Sequence, residues 1–168
     1  MSTRAAIGRV AGDGFEGRYH HSDGYPTWLG KHFTERARTA PDLAAFLAYI
    51  VDEHRAGWSS LGISTEYRDG GFVAVTPYDR CYCHWEGREE PNEGEPITEC
   101  DLFIEWAYAI DAERRTLGVW ASVNNGAHGY TGKLIAVVSI DDPDIDWEGI
   151  ERDGEAAKEA AYTSTAAR

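Results

Sequence analysis

The sequence predicts an α+β fold: a single domain in which an antiparallel sheet, made of an N-terminal hairpin and a C-terminal meander, carries two helices packed on one face. Three observations predict it. A Gly12-Asp13-Gly14 turn divides two short strand-like stretches, apolar residues recur at helical spacing over 43–51, and beyond residue 102 the apolar period becomes two. Alternating βαβ units are missing, and so are a GxGxxG or Walker loop, a GxSxG elbow and an HExxH pair.

The elements follow in chain order. Residues 4–10 (RAAIGRV) and 15–21 (FEGRYHH) flank the glycine turn and read as a hairpin. Pro26 biases Tyr25 toward extended backbone, and Thr27 can cap a helix running through WLGKHFTERAR. Leu43, Phe46, Leu47, Ile50 and Val51 stand at i, i+3, i+4, i+7 and i+8 after a capping-box-like Thr39-Ala-Pro-Asp42 start, and define a second helix that Gly57 ends. The stretch 58–80 offers one strand, GGFVAVTPYD, followed by a long Gly-, Pro- and Glu-rich loop over 80–100. Leu102, Ile104, Trp106, Tyr108 and Ile110 alternate with Phe103, Glu105, Ala107 and Ala109, the period of a strand with one buried face. The turn DAERR, a strand over 117–123, the turn NNGAHGYTG and a last strand KLIAVVSI complete a meander. The domain is expected over 1–150, with 151–168 an acidic, Ala-rich tail that is a short helix or frayed.

At 168 residues the chain can bury roughly 70% of its unfolded surface, so it folds without a staple. Sixteen basic against twenty-nine acidic residues leave a formal charge of −13, which disfavours direct contact with nucleic acid. No apolar run reaches the ~18–20 residues of a membrane span, the N-terminus lacks a signal-peptide core, and three cysteines suit reduced thiols, so the expected location is the cytoplasm.

Two segments carry candidate chemistry. In RYHHSDGYPT, His21 and Asp23 form a possible base with its orienting carboxylate or two metal ligands, while Arg18, Tyr25 and Trp28 are candidate ligand contacts. The competing reading is a plain turn, with Asp23 bonded to its own backbone and His21 packed beneath Trp28. The stretch Tyr82-Cys83-His84-Trp85-Glu86-Gly87 repeats the Y-x-H-x-[D/E]-G pattern of Tyr19 to Gly24. Convergence of the two would place His21, Asp23, His84 and Glu86 in one cleft, with Arg88 beside them for an anion. Cys81, Cys83, His84 and Cys100 are the residues available to a zinc ion, although the C-x-C spacing is short for a structural site and no cofactor is expected. The aromatic residues are read mainly as core, with His128 and Tyr130 available to a partner from their turn.

MSTRAAIG, RYHHSDGYPT, CHWEGREE and EWAYAIDAERRTLGVW together resemble a group of small proteins encoded by actinobacteria and their phages. These open on a Met-Gly/Ser-Thr-Arg start, follow with a His-x-Asp-Gly-Tyr-Pro segment and end with a Glu-Trp-x-Tyr strand. The match falls on His21, Asp23 to Pro26, Cys83, His84, Glu86 to Arg88, Glu105, Trp106 and Tyr108; many such proteins carry Trp where this chain has Ser22. The resemblance implies a phage or mobile-element setting and brings no activity with it. The functional expectation is a small acidic, non-enzymatic binding protein of the inhibitor or anti-defence type. It would engage a host protein or a small anionic signalling ligand, with Glu105 among the contacts. The alternative is a small metal- or His/carboxylate-dependent hydrolase at the strand-helix junction.

Overall fold

The computed structural model describes residues 3–62, 64–68, 71–75, 79–83, 94–126 and 129–166. Strands β1 (Ala5–Ala11) and β2 (Gly14–His20) form the expected hairpin, paired from Ala5↔His20 to Ala11↔Gly14. Strands β7 (Trp106–Asp111), β8 (Thr116–Asn124) and β9 (Tyr130–Ser139) form the expected antiparallel meander. Between them, β3 (Trp58–Ser60), β4 (Ser64–Arg68), β5 (Gly71–Val75) and β6 (Arg80–Cys81) replace the single strand expected over 58–80. Strands β4 and β5 pair only with each other, and the remaining seven form one sheet in the order β6-β3-β2-β1-β7-β8-β9.

That order makes the sheet mixed, not wholly antiparallel. β1 runs parallel to β7, from Ala5↔Trp106 to Arg9↔Ile110, and β2 meets β3 in parallel at His20↔Trp58. The hairpin therefore sits at the centre, where β1 has a strand on each side. Its small, apolar start, Ala5-Ala6-Ile7-Gly8, is buried accordingly.

Among the described residues, all helices lie on one face. A π-helical turn over Pro26–Gly30, begun by extended Tyr25 and the proline, leads directly into α1 (Lys31–Thr39). Thr27 lies inside that turn and not at its cap; its Oγ1 donates to Glu151 over 2.7 Å. Helix α2 (Leu43–Ala48) is capped by Asp42, which accepts from the Ala45 amide, and runs into a second π-helical turn, Tyr49–Glu53. A bidentate pair from Arg9 to Asp52, with Glu16 on the other side of the guanidinium, ties this second helix to the hairpin.

The third helix, α3, spans Trp147–Ala166, twenty residues, so the expected domain limit at residue 150 falls inside a helix that packs on the sheet. Its glycines explain the fit. A Cβ at Gly154 would stand 2.1 Å from the Trp106 ring, and one at Gly30 would stand 2.8 Å from Tyr108 and 2.9 Å from Trp147. These close approaches seal a core of Ile7, Phe33, Ile50, Val51, Trp58, Trp106, Tyr108, Ile110, Leu117 and Val119. Burial of each large side chain contributes roughly 1.5–3 kcal/mol.

The opposite face is covered by chain instead of helix. Segment 94–104 exchanges two backbone hydrogen bonds between Ile97 and Gly17, and then lays Cys100 and Ile104 against Ala6, Phe15, Ala107, Ala109 and Trp120. The alternation around Trp106 thus has both faces buried, large residues toward the helices and alanines beneath the crossing segment. Leu102 and Phe103, each 60% exposed, precede the strand and do not belong to it. Among the described residues, no helix is long and apolar enough to cross a membrane.

Candidate functional site

The strand-helix junction folds as a turn. Asp23 adopts a left-handed backbone (φ 52°), the Gly24 amide donates to the Thr3 carbonyl over 2.9 Å, and the Gly24 carbonyl accepts from the buried Tyr108 hydroxyl over 2.7 Å. His20 points into the helix-covered core and His21 to solvent, as consecutive strand positions must. His21 Nδ1 lies 2.8 Å from the Tyr19 hydroxyl, and its ring meets Tyr19 and Tyr82 edge-on. Trp28, which the turn reading placed above His21, packs edge-on to His32 at 4.8 Å instead. Tyr25 and Trp28 are about one-third exposed at the helix start.

Arg18 faces inward. Its Nε donates to the Val51 carbonyl over 2.7 Å and its Nη1 to Gly94 over 2.6 Å, so the guanidinium fastens the second helix and the crossing segment to β2. Burial lowers its pKa, and its donors serve the backbone. His84, Glu86 and Arg88, and with them the second half of the repeated pattern, lie outside the described residues, as does His128.

The cysteines separate. Cys100 lies on the face away from the helices, in contact distance of a Cβ built on Gly132 of β9, while Cys81 is on β6 at the other edge of the sheet. One ion therefore cannot use Cys81, Cys83 and Cys100 together. Cys83 accepts from the Ala56 amide at 3.3 Å, which brings the 81–83 stretch against the loop that follows the second helix. There His54 joins the two thiols: one ligand atom from each of His54, Cys81 and Cys83 lies within 4.8 Å of the others.

A groove of about 740 Å³ opens between α3 and the β7–β8 end of the sheet. Its walls carry Asp101, Glu105, Glu155 and Glu159 against Arg152 and Lys158, with Leu102, Tyr130 and Tyr162 as exposed apolar surface. Lys158 is already engaged: its Nζ stands 4.4 Å from the Trp106 ring centroid and 2.8 Å from Glu155. Glu105 is fixed at the rim by its backbone, which donates to Arg4 and accepts from Ser122. The field in the groove is therefore set by carboxylates.

No family model, curated protein or solved structure matches this chain. Its functional reading thus rests on its own side chains. Of the residues expected at a site, Glu105 and Tyr130 line the groove and Cys81 with Cys83 line the thiol cluster; His21, Asp23, Arg18, Tyr25 and Trp28 form no common cleft with either. The groove face of α3 lies in the segment expected to be a short or frayed tail. Its signal was present: Arg152, Glu155, Ala156 and Glu159 stand at i, i+3, i+4 and i+7, one stripe of a helix. His54 had no such signal, because its partners lie twenty-seven or more positions away.

Proposed function

We propose that this chain is a non-enzymatic binding protein whose partner is another protein presenting a basic segment with an aromatic or aliphatic anchor, held in the groove beside α3. The observation that carries the reading is the groove's make-up: four carboxylates around exposed Leu102, Tyr130 and Tyr162, with one of its two cations already neutralised by Glu155. A basic segment gains charge complementarity there and buries apolar surface at the centre, the arrangement that gives interfaces both on-rate and anchoring. The formal charge of −13 extends the same field over the surface. The resemblance to actinophage proteins fits a host protein as that partner, bound in the manner of an inhibitor. An anionic small ligand draws less support, because the junction's Arg18 is spent on backbone carbonyls.

The test is titration of the full chain with synthetic peptides rich in Lys and Arg that carry one Trp or Leu, beside acidic peptides of the same length. Basic peptides are expected to bind, to weaken as salt rises, and to lose roughly tenfold or more in affinity to the E155K/E159K double variant. Equal binding of acidic peptides, or indifference to the charge reversal, overturns the reading.

A further inference from the structure

We propose that His54, Cys81 and Cys83 form a binding site for a thiophilic divalent cation, zinc foremost, at the edge of the sheet opposite the groove. The ligands come from two chain segments that the fold presses together. Cys81 pairs with Trp58 across β6 and β3, the Tyr82 amide donates to the Gly57 carbonyl over 2.9 Å, and the Ala56 amide donates to Cys83 Sγ. The two segments thus run side by side, and the chain bends at Tyr82 and turns at Cys83, so that both thiols of the C-x-C come to lie on one side. That side faces His54.

The imidazole is held in place. Its ring lies 4.6 Å from Tyr49, edge-on, and 4.6 Å from Trp58, and the Trp58 indole is itself anchored to the Ile50 carbonyl over 3.2 Å. A tetrahedral zinc site with bonds of about 2.0–2.3 Å sets its ligand atoms about 3.5–3.8 Å apart. The observed separations, none above 4.8 Å, close to that by about an ångström of side-chain rotation. Cys83 is buried, whereas His54 and Cys81 are half-buried, so an ion reaches the cluster from solvent and then loses most of its water. Two thiolates and one imidazole are a soft, zinc-selective set, and they leave the fourth position to water or to an added ligand. Binding transfers the two thiol protons to solvent. The bound ion clips the two-residue β6 to the end of the second helix.

The experiment uses the full chain, reduced with a phosphine, stripped by a chelator and titrated with Co²⁺ and Zn²⁺ alone. One equivalent of Co²⁺ is expected to give thiolate-to-cobalt charge transfer and tetrahedral visible bands, both erased by Zn²⁺, with about two protons released per ion. C81S and C83S should each weaken binding by ~100-fold or more, H54Q by at least ~10-fold, and C100S by less than about twofold. Zinc should raise the thermal midpoint of the unmodified chain and slow alkylation of Cys81 and Cys83, readouts that stand even if a serine variant folds poorly. Absence of the charge-transfer band, its survival in C81S/C83S, unchanged alkylation rates, or a Cys81–Cys83 disulfide as the stable form under these conditions overturns the site.

Discussion

His20 ends β2 on the helix-covered face, 4% exposed, with both ring nitrogens buried. Burial, offset only in part by the backbone of Ser22, pushes its pKa from 6.5 down to about 4. The folded value therefore lies below the unfolded one. Above about pH 6.5 both states are neutral and the residue has no pH effect; between 6.5 and about 4 the unfolded chain takes up a proton that the folded chain refuses, and stability falls. The loss levels off below about pH 4, at roughly 3 kcal/mol at most. His32 is lowered in the same direction by burial and adds to the fall. H20L should remove most of the fall, so between neutral pH and about pH 4 the urea midpoint of the parent should drop further than that of the variant. Parallel curves across that range would show that His20 titrates normally.

At the scale of elements, α3 and the crossing segment decide the packing, and both depend on small residues. Gly154 lets α3 lie against Trp106, whose ring is also covered by Lys158. Exchanging Gly for Ala in an exposed helix ordinarily gains about 1 kcal/mol. Here the added carbon would stand 2.1–2.6 Å from ring atoms that cannot swing away, so G154A should lose stability by about 1–3 kcal/mol, and G154V by more. Thermal unfolding checks the sign, and a stabilised G154A would mean that α3 does not seat on Trp106. The same elements mark how far the sequence was legible. The hairpin, the second helix and the meander were readable because their signals are local: a glycine turn, a 3.6-residue period, a two-residue period. The parallel β1–β7 pairing was not, since nothing in Ala5–Arg9 names a partner a hundred positions later. The alternation at Trp106 resembles that of a strand with one buried face because Ala107 and Ala109 look like filler; their smallness is what admits Cys100 and Ile104. At the candidate sites, Glu105, Cys81 and Cys83 could be singled out by type, whereas His54 could be added only once β3 and β6 lay side by side.

For the whole molecule, charge and topology pull against each other. Among the described residues the sheet is open at both edges, and β9, ten residues long, exposes Leu134 and Val137 along one of them. Such an edge is a template for pairing with another copy. Two features oppose it: a register shift opposite Val119 and Trp120, and the formal charge of −13 at neutral pH. The second protection is conditional. It disappears as the pH approaches the isoelectric point of about 4.8, within the window where His20 is already withdrawing stability. Light scattering is therefore expected to stay low at neutral pH and to climb as pH falls toward 4.8. V137K should slow that climb by at least about threefold by putting a charge on the edge. A160K, which adds the same charge on the exposed side of α3, separates geometry from net charge. Both substitutions lower the net negative charge equally, so if both hasten the climb, repulsion alone governs association; if V137K slows it and A160K does not, β9 is the surface through which the copies meet.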